Sequence, residues 1–582
     1  MYSNTQTKSF QYDILPTFPV QGKLSNSYDE LADHLIQNHI HCIDGFVGVN
    51  WETPIKHIQQ EFAKRGLTVR FVSMETALLP EAVIEEKAAP YLGGDDPLFG
   101  KKTPLELIAY YDTGKLAALQ EMLSQTTDNE YLIFYGPGAA LLEATSQVMY
   151  IDLPKNILTQ RMRAGLAGNL ACGKQTNQKE LYKRYYFVDW ELLNRHKRMI
   201  SSRVEILADQ QSAENLPWIL GNDLKATLHV MSKNYFRVRP TFEPGVWGGQ
   251  WMKEHLTGID QQAKNYAWSF EMIVPENGIL LESNGLVLEI SFDQLMFQES
   301  SNVLGAARPR FDVEFPIRFN FLDTFDGGNL SIQCHPSPSY AKAEFGENFT
   351  QDESYYIVDR KGDAQVYLGF QEDINADNFR TVLEQSFHTG EPIAIDRYVQ
   401  KFESQKHQLY LIPHGTVHSS GTNNLVLEIS ATPYNYTFKM YDWVRPDLDG
   451  KPRPLNIDRA FANLNFNRKG DVVKDTLLSQ PQVYSLDDQA SKVHLPTHED
   501  HFYDVYRYEF GDEVHIETKG QCHIMMLVEG EAVELTTANG MKKIFHYAET
   551  FAVPAAAQSY SLRNLGIGQA KVIQSFVKDH KC

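Results

Sequence analysis

Gln333 and His335 in "LSIQCHP", Glu353 in "QDESYYIVD" and His418 in "IPHGTVHSSG" are the residues of this chain best suited to chemistry. Gln333 and His335 lie two apart in a segment that reads as a strand, so their side chains project to the same face. Glu353 follows a short polar loop, and His418 comes roughly 65 residues later in a Pro-x-Gly-x-x-His turn. Two imidazoles, a carboxylate and an amide oxygen suit a borderline divalent ion, most often zinc, at one ion per chain. A protein ligand set that leaves room for water or substrate is the usual mark of a catalytic metal.

The elements that must hold these residues fall into distinct textures. The chain has 582 residues, enough for three or four domains of about 150 residues. In the first part, "HCIDGFVGVN" reads as a buried strand running into a turn. "TPIKHIQQEFAKRG" then places Ile55, Ile58 and Phe62 on one helical face, with Pro54 near its start and Gly66 at its end. "LTVRFVSM", "EYLIFYGPGAA" and "VMYIDLP" add further strands with helical stretches between them. Such alternation predicts a parallel sheet covered by helices. From about residue 231 come short strands with Gly, Pro, Asn and Asp punctuation, such as "GILLESNGLVLEIS" and "HQLYLIPHG", which predict an antiparallel sandwich or barrel. "NFNRKGDVVKDTLLSQPQ" separates a last all-β unit. The expected division is residues 1–230, 231–480 and 481–582.

Lys and Arg total 54 against 74 Asp and Glu, a net charge of −20. That balance disfavours nucleic acid and anionic membranes as partners. No apolar run approaches the roughly 20 residues that cross a bilayer, and the N-terminus lacks the pattern of a secretory signal. Cys42, Cys172, Cys334, Cys522 and Cys582 are scattered and odd in number, which points to a reducing compartment and the cytoplasm.

"VWGGQWM", "FPIRFNFLDTFDGGNLSIQCHP", "ESYYIVD", "IPHGTVHSSG" and "TFKMYDWVRPDLDGKPRPL", in this order, resemble the type I mannose-6-phosphate isomerases, zinc enzymes of the cupin (jelly-roll) fold. The resemblance covers roughly residues 233–480 and continues weakly to the C-terminus. It implies that Gln333, His335, Glu353 and His418 are zinc ligands, that the substrate is a small sugar phosphate, and that the reaction is aldose–ketose isomerisation. It also exposes departures. Asn320 stands where the family usually has a lysine, Gln351 or Asp352 replaces a lysine before the metal-binding glutamate, and Lys439 takes the place of a catalytic arginine.

Lys439 keeps the charge without the planar fork of Arg. It is the candidate catalytic cation, with Arg318, Asn320 and His414 as candidate substrate contacts. The alternative is a non-catalytic, metal-containing sugar-phosphate-binding or regulatory protein. In the last unit the corresponding turn reads Pro554-x-Ala-x-x-Ser559, so this barrel is expected to hold no metal, and His523 reads as a strand residue.

"IDGFVGVNWET" stands where a strand, phosphate-binding loop and helix would stand, and residues 1–230 resemble P-loop nucleoside or sugar kinases. A working loop ends in Gly-Lys-Ser/Thr. Here Asn50, Trp51 and Glu52 occupy those positions, so a degenerate loop without phosphoryl transfer is expected. Arg161, Arg163, Lys183 and Arg184 resemble the basic lid of such kinases. Partners of this unit are not indicated.

Overall fold

The computed structural model describes residues 10–94, 96–124, 130–173, 177–212, 214–274, 276–431, 433–447 and 450–581; Cys582 lies outside them. The N-terminal sheet is built on five parallel strands: β1 (Cys42–Gly45), β2 (Thr68–Ser73), β3 (Glu130–Tyr135), β4 (Val148–Asp152) and β5 (Val204–Asp209), in the spatial order β2-β3-β1-β4-β5. β1 and β4 are buried at every residue, as strands covered by helices on both faces must be. Trp218–Leu220 and Leu24–Ser25 extend the sheet as antiparallel strands beyond β5.

Helix α1 (Glu52–Lys64) follows β1 and buries Pro54, Ile58 and Phe62, with Ile55 only half-buried. Gly66 stands just past its end at φ +72°, a left-handed conformation that glycine adopts without a steric cost. In the loop between β1 and α1, Trp51 packs over Gly45. The Gln210 side chain accepts from the backbone N–H of Asn50 at 2.7 Å, and Arg161 donates to the carbonyl of Gly48 at 2.8 Å. Side chains of the protein itself therefore hold the backbone of this loop. Two further helices are α2 (Lys155–Arg163) and α3 (Gln178–Arg184).

The central unit is a pair of antiparallel sheets. Six strands, including β6 (Arg318–Asp323), β8 (Asp352–Arg360) and β10 (Asn424–Ala431), form one sheet. Five, including β7 (Ile332–Cys334), β9 (His418–Ser420) and β11 (Phe438–Tyr441), form the other. The C-terminal unit repeats the two-sheet plan with six and four antiparallel strands. It joins the central unit where the Tyr503 hydroxyl donates to the carbonyl of Ile429 at 2.9 Å.

These units do not pack as separate beads. One continuous core holds Leu207 of β5, Phe321 of β6 and Val572 of the last barrel. Thr17–Pro19 pairs in parallel with Gly278–Ser283, so the start of the described chain belongs to a sheet formed with residues far beyond position 230. The N-terminal unit also clasps the central one. Lys102 meets the buried carboxylate of Glu347 at 2.8 Å, and the hydroxyls of Tyr186 and Tyr436 donate to its other oxygen at 3.0 and 2.7 Å.

Candidate metal centre

β7 and β9 are paired so that Gln333 lies opposite His418, while Glu353 opens β8 in the facing sheet. The two sheets thus aim an amide, two imidazoles and a carboxylate at one point. His335 Nε2 and His418 Nε2 lie 3.2 and 2.9 Å from Glu353 Oε1, and Gln333 Nε2 lies 3.3 Å from His418 Nε2. Donor atoms sharing a tetrahedral ion at about 2.0–2.1 Å sit roughly 3.3–3.4 Å apart. The observed spacings are close to that. Interchanging the amide N and O of Gln333, two atoms that are assigned from their hydrogen bonds, would present its oxygen to the same point.

The surroundings fix these groups for ligation. His335 Nδ1 donates to the carbonyl of Tyr436 at 3.0 Å, and His418 Nδ1 to that of Thr416 at 2.9 Å. Each imidazole therefore presents its Nε2 lone pair inward, as metal-bound histidines do. Gln351 donates to Glu353 Oε2 at 3.0 Å and leaves Oε1 for the cluster.

All three titratable groups are buried. Apart from their mutual contact and that of Glu353 with His418, His335 Nε2 and Glu353 Oε1 make no hydrogen bond. Burial opposes the Glu353 charge, but the neighbouring imidazoles hold its carboxyl well below the usual range. Burial likewise opposes charge on His335, yet Glu353 raises its pKa; at His418 burial prevails and lowers it. The burial, the donor spacing and the inward Nε2 atoms suit a cation held by His335, Glu353 and His418, with the Gln333 oxygen joining them once its amide is interchanged.

Beside the cluster is a cavity of about 550 Å³, large enough for a small ligand. Gln333, Glu353, Lys439, Asn320 and Arg318 all line it. Burial, reinforced by the charge of Arg453, pushes the Lys439 ammonium down to about 8. Arg318 is buried in the wall, donating to the carbonyl of Pro433 at 2.6 Å. His414 is not among the lining residues, because its ring and backbone N–H both engage Asp352, at 2.9 and 2.8 Å.

Glu428 on β10 is a lining residue that no motif signals. Asn320 donates to it at 3.3 Å, and burial together with the nearby Glu353 charge raises its pKa well above the carboxylate range. Its sequence context, "NNLVLEIS", is that of any strand, and only strand pairing, β10 lying between β6 and β8, brings it to the cluster.

Elsewhere, Ser559 begins a strand paired with Glu513–Glu517. His523 is the first residue of its strand, buried against the Tyr560 hydroxyl and the Gln574 amide. The basic residues of α2 and α3 do not form one cluster. Arg161 turns to Gly48, Lys183 donates to the carbonyl of Asp96 and Arg184 to that of Leu170, leaving Arg163 on the cavity. Among the described residues the one other group of potential ligands is Glu81, Glu85 and Cys172, whose two carboxylates are exposed. No helix of the described residues is long and apolar enough to cross a membrane.

Residues 27–233 match a family described as a domain of unknown function (DUF8485), spanning nearly the whole α/β unit. Mannose-6-phosphate isomerase ManA of Bacillus subtilis is 25% identical over 223 residues, 38% of this chain and 65% of that protein. The mannose-6-phosphate isomerase of Streptococcus mutans is 24% identical over the same shares. Part of this chain is therefore related to the mannose-6-phosphate isomerases. The match spans just under two thirds of their length. Among solved structures, mannose 6-phosphate isomerase from Bacillus subtilis aligns with a TM-score of 0.46 at 18% identity, covering 59% of this chain and 99% of that one. A point mutant of phosphomannose isomerase from Salmonella typhimurium aligns with a TM-score of 0.44 at 14% identity, covering 59% and 100%.

Proposed function

We propose that this protein is a zinc-dependent aldose–ketose isomerase of the cupin type, acting on mannose 6-phosphate and fructose 6-phosphate or a close sugar-phosphate analogue. The observation that carries the reading is the buried His335–Glu353–His418 cluster, its inward donor atoms gathered on one point at one side of a ligand-sized cavity. A zinc ion held by these residues and Gln333 would supply Lewis acidity toward the substrate's carbonyl and hydroxyl oxygens.

The chain's own groups account for the proton transfer. Moving a proton between neighbouring carbons needs a base and stabilisation of negative charge on oxygen. Glu428 is a carboxyl lining the cavity beside the cluster, placed to exchange a proton with a bound substrate. Asn320 holds its orientation. Lys439 places an ammonium on the same cavity, where negative charge would develop. Trp247, Trp268 and Phe270 line the wall and limit water.

A second reading, a metal-containing protein that binds sugar phosphates without turning them over, is favoured by Asn320 and Gln351, which stand where the resemblance places lysines. A coupled isomerase assay on metal-loaded protein separates the two. Turnover of a hexose 6-phosphate, lost in Glu428→Gln with the metal retained, supports the isomerase. Binding without turnover in the wild type supports the alternative.

In the same reading the N-terminal unit is a relative of P-loop kinases that has given up phosphoryl transfer. Its loop lacks the lysine, and its backbone is engaged by Gln210 and Arg161. The full chain should not hydrolyse ATP, and measurable ATPase activity would count against this assignment.

A further inference from the structure

The metal cavity is not closed by the central unit alone. α2 contributes Met162 and Arg163 to its lining, and α3 contributes Gln178, Lys179 and Tyr182. We infer that Arg163, Lys179 and Tyr182 form an anion subsite at this cavity, which takes the phosphate of the phosphorylated sugar and makes the N-terminal unit a working wall of the site. This rests on the isomerase reading for the identity of the sugar, but the subsite itself stands on the placement of these residues.

Lys179 and Tyr182 are three apart on α3, so they share one face, and both reach the cavity. The next residues, Lys183 and Arg184, turn to backbone carbonyls. Both cations have carboxylate partners at the surface. Arg163 meets both oxygens of Glu243, itself a lining residue, at 2.9 Å, with its own side chain 48% exposed. Lys179 lies 3.8 Å from Asp447, and its side chain is 49% exposed. Solvent-exposed pairs are held loosely, so a dianionic phosphate can compete with the carboxylates for both cations. Among the described residues the Tyr182 hydroxyl makes no hydrogen bond, and its charged surroundings are Glu276 first and then Arg318 and Arg163.

A buried and unsatisfied donor points to the same place. Arg318, which lines the cavity from β6, has an Nε without a hydrogen-bond partner. Arg163, Lys179 and Arg318 thus reach one cavity from two units, with Glu243 and Glu276 beside them as the carboxylates an incoming phosphate would replace. The helices are also held in position: Tyr182 stacks on Tyr434 at 6.2 Å, and Tyr186 lies 4.1 Å from the same ring. A subsite assembled from two units needs that rigidity.

The test is calorimetric titration of the full chain with mannose 6-phosphate, inorganic phosphate and mannose, comparing wild type with Arg163→Gln, Lys179→Gln and the double variant. Both positions are half-exposed, so folding should survive, and circular dichroism and zinc content provide the check. The double variant should bind mannose 6-phosphate and inorganic phosphate at least tenfold more weakly, while its affinity for mannose changes less than twofold. Unchanged affinity for the phosphorylated ligands, or a wild type that binds neither, overturns the subsite. A wild type that binds phosphate through these residues but turns over no sugar leaves the subsite standing and removes the isomerase reading. Turnover with no effect of the double variant does the reverse.

Discussion

Gln333 on β7 and Lys439 on β11 stand directly opposite one another across an antiparallel pair, at a bulge where the register shifts between Ile332 and Gln333. Bulges re-aim side chains and are frequent beside active sites. Here the bulge lets a metal-ligand position and a candidate catalytic cation line one cavity. Removing a preorganised charge of this kind typically costs about 10²–10³ in turnover, roughly 3–4 kcal/mol. Lys439→Ala should lose that much kcat while its zinc content stays unchanged. Lys439→Arg should keep or raise activity. If Lys439→Ala turns over substrate like the wild type, the role passes to Arg318.

The metal itself is the simplest prediction to check. One divalent ion should be found per chain by elemental analysis, and His418→Ala should lose it, because the remaining ligands cannot close the set. A change at Ser559, in the other barrel, should leave the ion in place. Carefully prepared wild-type protein without any metal would sink the assignment.

The meeting of His335, Glu353 and His418 was readable from the sequence because strand alternation and a turn fix local geometry. Gln333 and His335 share a face through the period of a strand, and His418 belongs to the turn that begins at Pro413 and Gly415. Glu428 and Lys179 were not readable. Glu428 joins the site through the pairing of β6 with β10, across more than a hundred residues, and no local pattern encodes such a pairing. Lys179 sits on a short helix whose face is chosen by contact with another unit. The parallel sheet was legible in its apolar runs, whereas Thr17–Pro19 was not, since three residues carry no period. The division at residue 230 reflects a change of texture, but the core runs across it.

Acid should destabilise the fold through buried histidines outside the candidate ligand set. Burial pushes His501 and His523 down to about 3. His501 is stacked on Tyr503 at 5.0 Å, with both ring nitrogens unpartnered, and it faces Asp352, Asp500, His498 and Lys578. In the unfolded chain each imidazole titrates near 6.5. Between that value and about 3 the unfolded state binds more protons than the native one, so stability falls as pH drops through this window. At pH 4.5 each such histidine should have cost roughly 2–3 kcal/mol relative to pH 7.5. His501→Phe keeps the stacked ring and removes the titration. Urea unfolding at the two pH values should show a smaller acid loss for the variant by about that amount, and an equal loss would refute the account.

The contact of Lys102 with Glu347 ties the α/β unit to the metal centre. Glu347 is fully buried, with Lys102 on one oxygen and the Tyr186 and Tyr436 hydroxyls on the other. Tyr436 in turn offers its carbonyl to His335 Nδ1. Burial raises the carboxyl of Glu347, and the Lys102 ammonium is its main compensation. Removing one partner of a buried pair typically costs about 3–5 kcal/mol, because the other charge is left uncompensated. Lys102→Met should therefore destabilise the protein by roughly that amount in urea unfolding. Lys102→Met combined with Glu347→Gln should recover most of the loss, since a neutral amide can still accept from both tyrosines. The single variant should also hold zinc about tenfold more weakly, the lower end of the loss typical when the partner orienting a metal-bound histidine is disturbed. Additive effects of the two substitutions, with zinc affinity unmoved, would show that this clasp neither depends on the ion pair nor reaches His335.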